Sequence, residues 1–195
     1  MKLIPVLLTG LLGLTSLSAR PESPNPGLRY YYPVPKADPA QVIETDVCVY
    51  GGTPGGVAAA IQATRMGKKA ALFVFRRHVG GLTSGGLTAT DIGNRQAIGG
   101  FANEFYAKVG KTRGFKPSQA EDAFLALLAE AGVTVYYEHR LDKVEKEGAR
   151  ITSLAFENGN RAKAGMFIDA TYEGDLFARA GVSFTVGREA NAQYG

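Results

Sequence analysis

The chain has a single cysteine, Cys48, and only two histidines, His78 and His139. One cysteine cannot form an internal disulfide, and by itself it cannot hold an iron–sulfur cluster. Because Cys48 lies within a short apolar run, we interpret it as the inert thiol of a buried strand. Two histidines are too few for a metal site, so the sequence predicts no metal centre.

The chain also lacks a strong excess of charge of one sign. Its 22 lysines and arginines and its 18 aspartates and glutamates give a formal net charge of +4 at pH 7. The basic residues are scattered among the acidic ones, which argues against nucleic acid as a partner and against a polybasic membrane patch. Apolar residues make up 45% of the 195 residues, as in an ordinary globular protein with one core.

The apolar run at residues 3–14 is too short for a comfortable transmembrane helix. It follows Lys2 and precedes the small residues 15–19, an order typical of a secretory signal peptide. We therefore expect removal of residues 1–19, export to the periplasm or the extracellular medium, and no stable membrane insertion after cleavage. An uncleaved anchor or a buried helix is the alternative. Residues 20–44 are rich in proline and are expected to form an extended linker or a surface strap.

From residue 45 onward, apolar runs alternate with glycine turns and helical patterns. A strand, a helix and a second strand follow within about thirty residues, which is typical of a doubly wound parallel sheet and so of an α/β fold. Ser118 and Glu121 have the spacing of a capping box, and Asn158 and Gly159 are expected to form a hairpin turn. The expected strands cover residues 47–50, 70–75, 133–137, 140–144, 151–156 and 162–168, and the expected helices cover 54–66, 102–109, 118–131 and 176–180.

The turn after the first expected strand is dense in glycine. Glycines allow a tight turn and a close approach to a pyrophosphate, and the following helix presents free N–H groups to anionic oxygens. Gly51 and Gly56 match the first and third glycines of the dinucleotide-binding pattern, whereas Thr53 stands at the second. By itself this partial match is weak evidence, because many glycine turns between strand and helix bind nothing.

Two further clusters follow strands. Residues 80–87 come shortly after the second expected strand, and residues 168–176 end a later strand and open a helix. The backbone amides of a glycine-rich loop can face a ligand, although a flexible surface loop is the alternative for residues 80–87. Because the carboxyl ends of strands in a doubly wound sheet form the ligand crevice, we expect the three clusters to meet at one edge.

These three motifs, in this order, resemble the bacterial FAD-dependent oxidoreductase family. The family belongs to the glutathione-reductase-like flavoprotein superfamily; some members are labelled heterodisulfide-reductase-like and some xanthan lyase. The resemblance covers about residues 46–195. It implies a Rossmann-like FAD-binding domain with a small β-meander and FAD as the cofactor. Threonine at the position of Thr53 is usual in this family.

The resemblance also implies the roles of individual residues. The first turn would approach the FAD pyrophosphate, the second cluster would line the ribityl–pyrophosphate side, and the third would close over the dinucleotide. The backbone of Leu141 would touch adenine. The residues implied to bind FAD are Gly51, Gly52, Thr53, Pro54, Gly55, Gly56, Arg77, Gly80, Gly81, Leu82, Thr83, Ser84, Gly85, Gly86, Leu141, Ala170, Thr171, Glu173, Gly174 and Asp175.

The chain departs from the family at the end of the second strand. The family usually has a glutamate there, whose carboxylate accepts hydrogen bonds from the adenosine ribose, and this chain has Val74. Phe75, Arg76 and Arg77 follow, and no carboxylate is among them. An arginine just past this strand is what an NADP site would contain, so an NADP-binding domain is an alternative. The two arginines would otherwise be solvated residues at a strand end.

Members of the family run to several hundred residues, so we expect this chain to be an incomplete N-terminal part of a longer protein whose substrate domain lies in the missing C-terminal part. No catalytic residue is assigned, because His78, His139 and Asp91 each have a commoner structural explanation. The expected function is the FAD-binding portion of an exported flavin-dependent oxidoreductase acting on an unknown small-molecule substrate. The alternative is a degenerate dinucleotide fold retained as a non-catalytic binding module.

Overall fold

The computed structural model describes residues 34–87, 89, 93–185, 187–188 and 190–194. The expected signal peptide, the first part of the proline-rich segment and Asp91 lie outside the described residues. The strands are β1 (Val42–Tyr50), β2 (Ala70–Phe73), β3 (Thr134–Tyr136), β4 (Leu141–Glu147), β5 (Arg150–Phe156) and β6 (Arg161–Asp169). The helices are α1 (Pro54–Arg65), α2 (Gly81–Ser84), α3 (Gly100–Val109), α4 (Pro117–Ala131) and α5 (Asp175–Arg179), with short 3-10 turns at Arg95–Ala97 and Asn191–Gln193.

The strands form one six-stranded sheet in the order β3-β2-β1-β6-β5-β4. The neighbours among β3, β2, β1 and β6 pair in parallel, and β5 and β4 are added by antiparallel pairing. The predicted α/β class, with a mostly parallel sheet and a meander, is confirmed. The meander is continuous with the parallel sheet, because its last strand, β6, also pairs with β1 from Val42↔Arg161 to Tyr50↔Asp169.

The central strand β1 sends its side chains alternately into two cores. Val49 packs with Val57 of α1 and Phe124 of α4 on one face of the sheet. Cys48 and Tyr50 belong to the second cluster, with residues of β4, β5 and α5. A strand that is buried on both faces needs an unbroken apolar run, which is the pattern that predicted it. Burial raises the pKa of the Cys48 thiol, so this side chain stays protonated and inert, as predicted.

Two strand boundaries differ from the prediction. β1 begins at Val42 because its first residues pair with the start of β6, so the end of the expected proline-rich segment lies in the sheet. β2 ends at Phe73, two residues early, because Phe73 is paired with Tyr50 and Tyr136, where the neighbouring strands β1 and β3 end. The other expected elements lie within three residues of their predicted bounds.

The start of α4 corrects a second prediction. Its N-cap is Lys116, whose N–H donates to Oε1 of Gln119 at 2.9 Å. Pro117 occupies the first helical position, where a backbone N–H would have no acceptor within the helix, so proline costs no hydrogen bond there. The predicted capping box of Ser118 and Glu121 is therefore wrong, and the Glu121 carboxylate contacts His78 instead.

No helix within the described ranges is long and apolar enough to cross a membrane.

His139 lies in a closed polar network next to the end of β3. It is 6% exposed and packs edge-on against three aromatic rings. Its Nδ1 lies 2.7 Å from the carbonyl oxygen of Tyr137, and its Nε2 lies 3.0 Å from Nδ2 of Asn160. The Asn160 Oδ1 already accepts the Gln41 N–H at 2.9 Å, so the amide cannot turn to accept a second imidazole proton. Burial lowers the pKa of His139, partly offset by the bond to Tyr137.

We expect this histidine to make the fold acid-sensitive. A buried imidazole with a lowered pKa is neutral in the folded state, whereas the unfolded chain takes up a proton below the ordinary value of 6.5. The free energy of unfolding should therefore fall as the pH drops below 6.5, with a slope of up to about 1.4 kcal/mol per pH unit from this group. Urea unfolding between pH 7.5 and pH 5 measures it.

His139→Gln should flatten this pH dependence, since glutamine keeps an acceptor for Asn160 but does not titrate. An equal slope in His139→Gln and in the unmodified chain would contradict the prediction.

Candidate cofactor-binding site

The three glycine-containing clusters meet at the carboxyl edge of the parallel strands, as predicted. The first and second are joined by a hydrogen bond from the Gly80 N–H to the Gly52 carbonyl, at 2.7 Å. The second and third are joined by a bond from the Leu82 N–H to the Tyr172 hydroxyl, at 2.9 Å. β1 and β6 are neighbours, and β2 lies on the other side of β1, which brings the three following loops to one place.

Thr53 connects the first cluster to the third. Its Oγ1 donates to the Ala170 carbonyl at 2.7 Å and accepts the Gly56 N–H at 3.2 Å, which makes it the N-cap of α1. Its φ of −73° and ψ of 167° are extended, so this position does not need glycine. The hydroxyl gives a structural reason for threonine where the generic dinucleotide pattern has its second glycine.

The glycines of the first turn have different roles: two are required by packing, and one borders open space. Gly51 has a φ of +117°, and a Cβ built on it would lie 2.5 Å from the Ala170 carbonyl carbon. A Cβ on Gly56 would lie 1.9 Å from the Gly51 oxygen. Both glycines are therefore required by packing. Gly55 has open space, with its nearest neighbour, Thr53 Oγ1, at 3.6 Å from a Cβ.

Gly55 is the position in the first turn that a ligand can approach. Its N–H has no acceptor among the described residues, whereas the N–H groups of Gly56 and Val57 are used by Thr53. The first turn of α1 contains no acidic side chain, and the helix dipole there favours an anion. This end of α1 fits a phosphate group.

The second cluster differs from the expected open loop of free amides. Gly80, with a φ of +95°, turns the chain into the one-turn helix α2. The N–H groups of Ser84, Gly85 and Leu87 then donate to carbonyls within the cluster, and that of Leu82 donates to Tyr172. The expectation that this loop offers its amides to a ligand is therefore wrong for these four donors, because the chain satisfies them itself.

Asp169, at the end of β6, organises the third cluster. Its Oδ1 accepts the N–H and the hydroxyl of Thr171 at 2.9 and 2.7 Å, and its Oδ2 accepts the N–H groups of Leu176 and Phe177, both at 2.9 Å. The Thr171 hydroxyl also accepts the Asp175 N–H at 2.9 Å. The carboxylate thus accepts two otherwise free N–H groups in the first turn of α5, whose N-cap residue is Gly174. Sequence reasoning missed this role, although an aspartate six residues before a short helix was visible.

The clusters enclose a cleft of about 590 Å³ between the first and third loops, the end of β2 and the start of α4. Of the predicted site residues, nine line it: Gly51, Gly52, Thr53, Gly81, Leu82, Ser84, Gly85, Thr171 and Glu173. The other eight lining residues were not among those predicted to bind FAD: Val74, Phe75, Arg76, His78, Pro117, Ser118, Glu121 and Tyr172. α4 starts at Pro117, far along the chain from the second cluster, so its contribution had no local signal.

The remaining predicted residues lie beside this cleft or away from it. Pro54, Gly55 and Thr83 line a smaller apolar hollow of about 320 Å³ towards α3. Leu141 is 4% exposed, and its N–H donates to the Tyr50 hydroxyl at 2.9 Å. Arg77 does not line the cleft, and its Nε lies 2.7 Å from Glu138. Gly56, Gly80, Gly86, Ala170, Gly174 and Asp175 are not among the residues lining either space.

One arginine and two glutamates are the charged side chains that line the cleft. Arg76 lines it, and its guanidinium lies 5.0 Å from the centre of the Phe75 ring. Glu121 and Glu173 are its acidic lining residues.

Behind the first turn, burial raises the pKa of Tyr50 to about 12, so the phenol stays neutral. Within the described residues no group of three or more His, Cys, Asp or Glu side chains is placed to hold a metal ion.

The chain matches the family model described as FAD dependent oxidoreductase over residues 46–195. No curated protein matches it. Similar solved structures include a geranylgeranyl bacteriochlorophyll reductase-like protein from Thermoplasma acidophilum, with 22% identity, a TM-score of 0.54, and 74% of this chain and 44% of that one covered. Another is L-proline dehydrogenase from P. horikoshii, with 14% identity, a TM-score of 0.57, and 74% and 58% covered.

A third is a flavoprotein/dehydrogenase from Cytophaga hutchinsonii, with 19% identity, a TM-score of 0.55, and 75% and 44% covered. At these identities the likeness shows the shared fold, and this chain spans about half the length of these structures. The family model covers most of the chain, and the cleft lies beside the open N-terminus of α1, an arrangement that fits the phosphate end of a dinucleotide. The chain therefore belongs to the FAD-dependent oxidoreductase family, and its cofactor is FAD.

Proposed function

We propose that this chain is the FAD-binding portion of an exported oxidoreductase that transfers hydride or electrons between FAD and a small-molecule substrate. Three loops meet at one cleft, and the Gly55 N–H is left open in the neighbouring hollow at the start of α1; this arrangement carries the proposal. Because this chain spans about half the length of the similar solved structures, the substrate side is proposed to come from the rest of the same protein. The pattern of residues 1–19 supports export.

The bound flavin supplies the redox chemistry, and the chain's residues bind and orient it. The Gly55 N–H and the α1 dipole would hold a pyrophosphate oxygen. Thr53 and Asp169 hold the first and third loops in register, so that Thr171 and Glu173 stay at the cleft. The N–H of Leu141 is already used by Tyr50, so an adenine contact at Leu141 would have to come from another atom.

The sequence also suggested two other functions, and each rests on one feature of the site. Arg76 in the cleft, together with Val74 in place of a carboxylate, favours a ligand with a 2′-phosphate and hence NADP. The absence of a ribose carboxylate at the end of β2 also favours a degenerate, non-catalytic binding module. Both alternatives predict little or no affinity for FAD.

Cofactor release from the purified chain tests the proposal. We expect a yellow protein with a flavin absorbance band, and FAD in the supernatant after denaturation, identified by mass spectrometry. The stripped protein should rebind FAD but not FMN, because FMN lacks the adenosine half that the cleft at the end of β2 would hold. NADP in the supernatant, or failure to bind FAD by both the chain and any longer form of the protein, would overturn the proposal.

A further inference from the structure

The residue that follows β2 has no side-chain acceptor for the hydroxyl groups of an adenosine ribose. In dinucleotide-binding folds an acidic side chain about twenty residues after the glycine motif, at the end of the second strand, accepts hydrogen bonds from the ribose hydroxyls. Here Val74 follows β2, lines the cleft and packs against Gly52. A valine cannot accept a hydrogen bond, so a vicinal diol placed there needs another acceptor.

Glu121 places a carboxylate in this part of the cleft from a different element. It lies in the first turns of α4 and lines the same cleft as Val74, Phe75 and Arg76. Both of its oxygens lie 3.0 Å from Nδ1 of His78, and its side chain is 23% exposed. The carboxylate is therefore held close to the strand-end residues while one side stays open to solvent.

The other carboxylates near this site are less well placed. Glu138 is paired with Arg77 and does not line the cleft. Glu173 lines the cleft, but it belongs to the loop after β6, which is separated from β2 by β1. Of the carboxylates that line the cleft, only Glu121 contacts the segment that follows β2, through His78 and, at 3.4 Å, the Val79 N–H.

We propose that Glu121 replaces the missing strand-end carboxylate and accepts the hydrogen bonds of the adenosine ribose hydroxyls. The inference rests on the proposed FAD-binding function and assigns a residue that sets its specificity. His78 orients the carboxylate in this arrangement and leaves its remaining lone pairs for the diol, since a carboxylate offers about four acceptor sites.

Competition by nucleotides that lack one hydroxyl provides the test. Stripped protein is titrated with FAD by flavin fluorescence, and ADP, 2′-deoxy-ADP and 3′-deoxy-ADP are used as competitors. We expect the unmodified chain to bind ADP about tenfold or more tighter than at least one deoxy analogue, as for a hydrogen bond to a charged acceptor. In Glu121→Gln the discrimination should shrink to about threefold or less, because the remaining hydrogen bond is neutral.

Matched variants separate this role from a general effect of charge or folding. Glu130→Gln removes a carboxylate from the same helix that is 60% exposed and paired with Lys108, and it should keep the discrimination of the unmodified chain. His78→Ala should keep some discrimination, because the acceptor remains. Thermal unfolding followed by circular dichroism checks that Glu121→Gln is folded.

Three results would overturn the inference while leaving the proposed function intact: unchanged discrimination in Glu121→Gln, loss of discrimination in Glu173→Gln instead, or tighter binding of ADP with a 2′-phosphate than of ADP by a protein that also binds FAD. Failure of the unmodified chain and any longer form of the protein to bind FAD would count against the proposed function itself. The two failures are therefore distinguishable.

Discussion

Gly56→Ala should destabilise the fold by about 3 kcal/mol or more, because the new methyl group would meet backbone atoms that cannot move independently. A Cβ at this position lies 1.9 Å from the Gly51 oxygen and 3.1 Å from the Ala170 Cβ. Relief would require α1 to move away from the ends of β1 and β6. Alanine favours a helix by about 1 kcal/mol over glycine, which is too little to offset the clash. Urea unfolding gives the change in the free energy of unfolding.

Gly55→Ala is the matched control one residue earlier. Its Cβ would have only an ordinary contact, 3.6 Å from Thr53 Oγ1, so the variant should fold and should be up to about 1 kcal/mol more stable. Its affinity for FAD should fall by about tenfold or more, because the methyl group lies where the phosphate approaches the helix end. Stability and affinity would thus change in opposite directions within one turn.

Each of these two variants tests a different role of glycine. A Gly56→Ala chain as stable as the unmodified one would show that packing does not require glycine there. A Gly55→Ala chain that binds FAD unchanged would show that the cofactor does not approach this turn.

Asp169→Asn should lower the free energy of unfolding by about 2–4 kcal/mol, because a neutral amide cannot accept all four of the charge-assisted hydrogen bonds that the carboxylate accepts. The aspartate accepts two bonds from Thr171 and the N–H groups of Leu176 and Phe177 at distances of 2.7–2.9 Å. An asparagine has a single acceptor oxygen, and its NH2 group would point at backbone donors. Urea unfolding measures the loss, and FAD titration should show weaker binding, because the third loop would lose its anchor.

Asp142→Asn is the control for Asp169→Asn, because Asp142 is exposed on β4, away from the cleft. It should change the free energy of unfolding by less than about 0.5 kcal/mol. Equal stability losses in the two variants would indicate a general effect of charge and contradict the role given to the Asp169 carboxylate.

The element order and the positions of the three loops were predictable because their signals are local. Apolar runs ended by glycine predicted the buried strands, and the glycine turn before the alanine-rich stretch predicted the start of α1. Strand ends were less accurate at β1 and β2. Pairing with β6 extends β1 to Val42, and β2 ends at Phe73 because its partner strands end there. Both limits depend on a neighbouring strand that the sequence pattern does not identify.

The roles of individual residues were less predictable, because glycine serves both packing and ligand approach. Gly51 and Gly56 are fixed by the Cβ clashes they avoid, whereas Gly55 has open space. These three positions look alike in the sequence. The second cluster was predicted to be a loop with free amides, but α2 and Tyr172 satisfy several of its donors.

The sequence by itself determined the α/β class, the three loops and their common edge, since each follows from apolar periodicity, glycine and strand order over short distances. The tertiary structure decided which side chains meet at that edge. The hydrogen bond between Thr53 and Ala170 joins residues 117 positions apart, and that between His78 and Glu121 joins residues 43 positions apart. Contacts over such separations depend on how α1, α4 and the sheet pack together, and no local pattern encodes them.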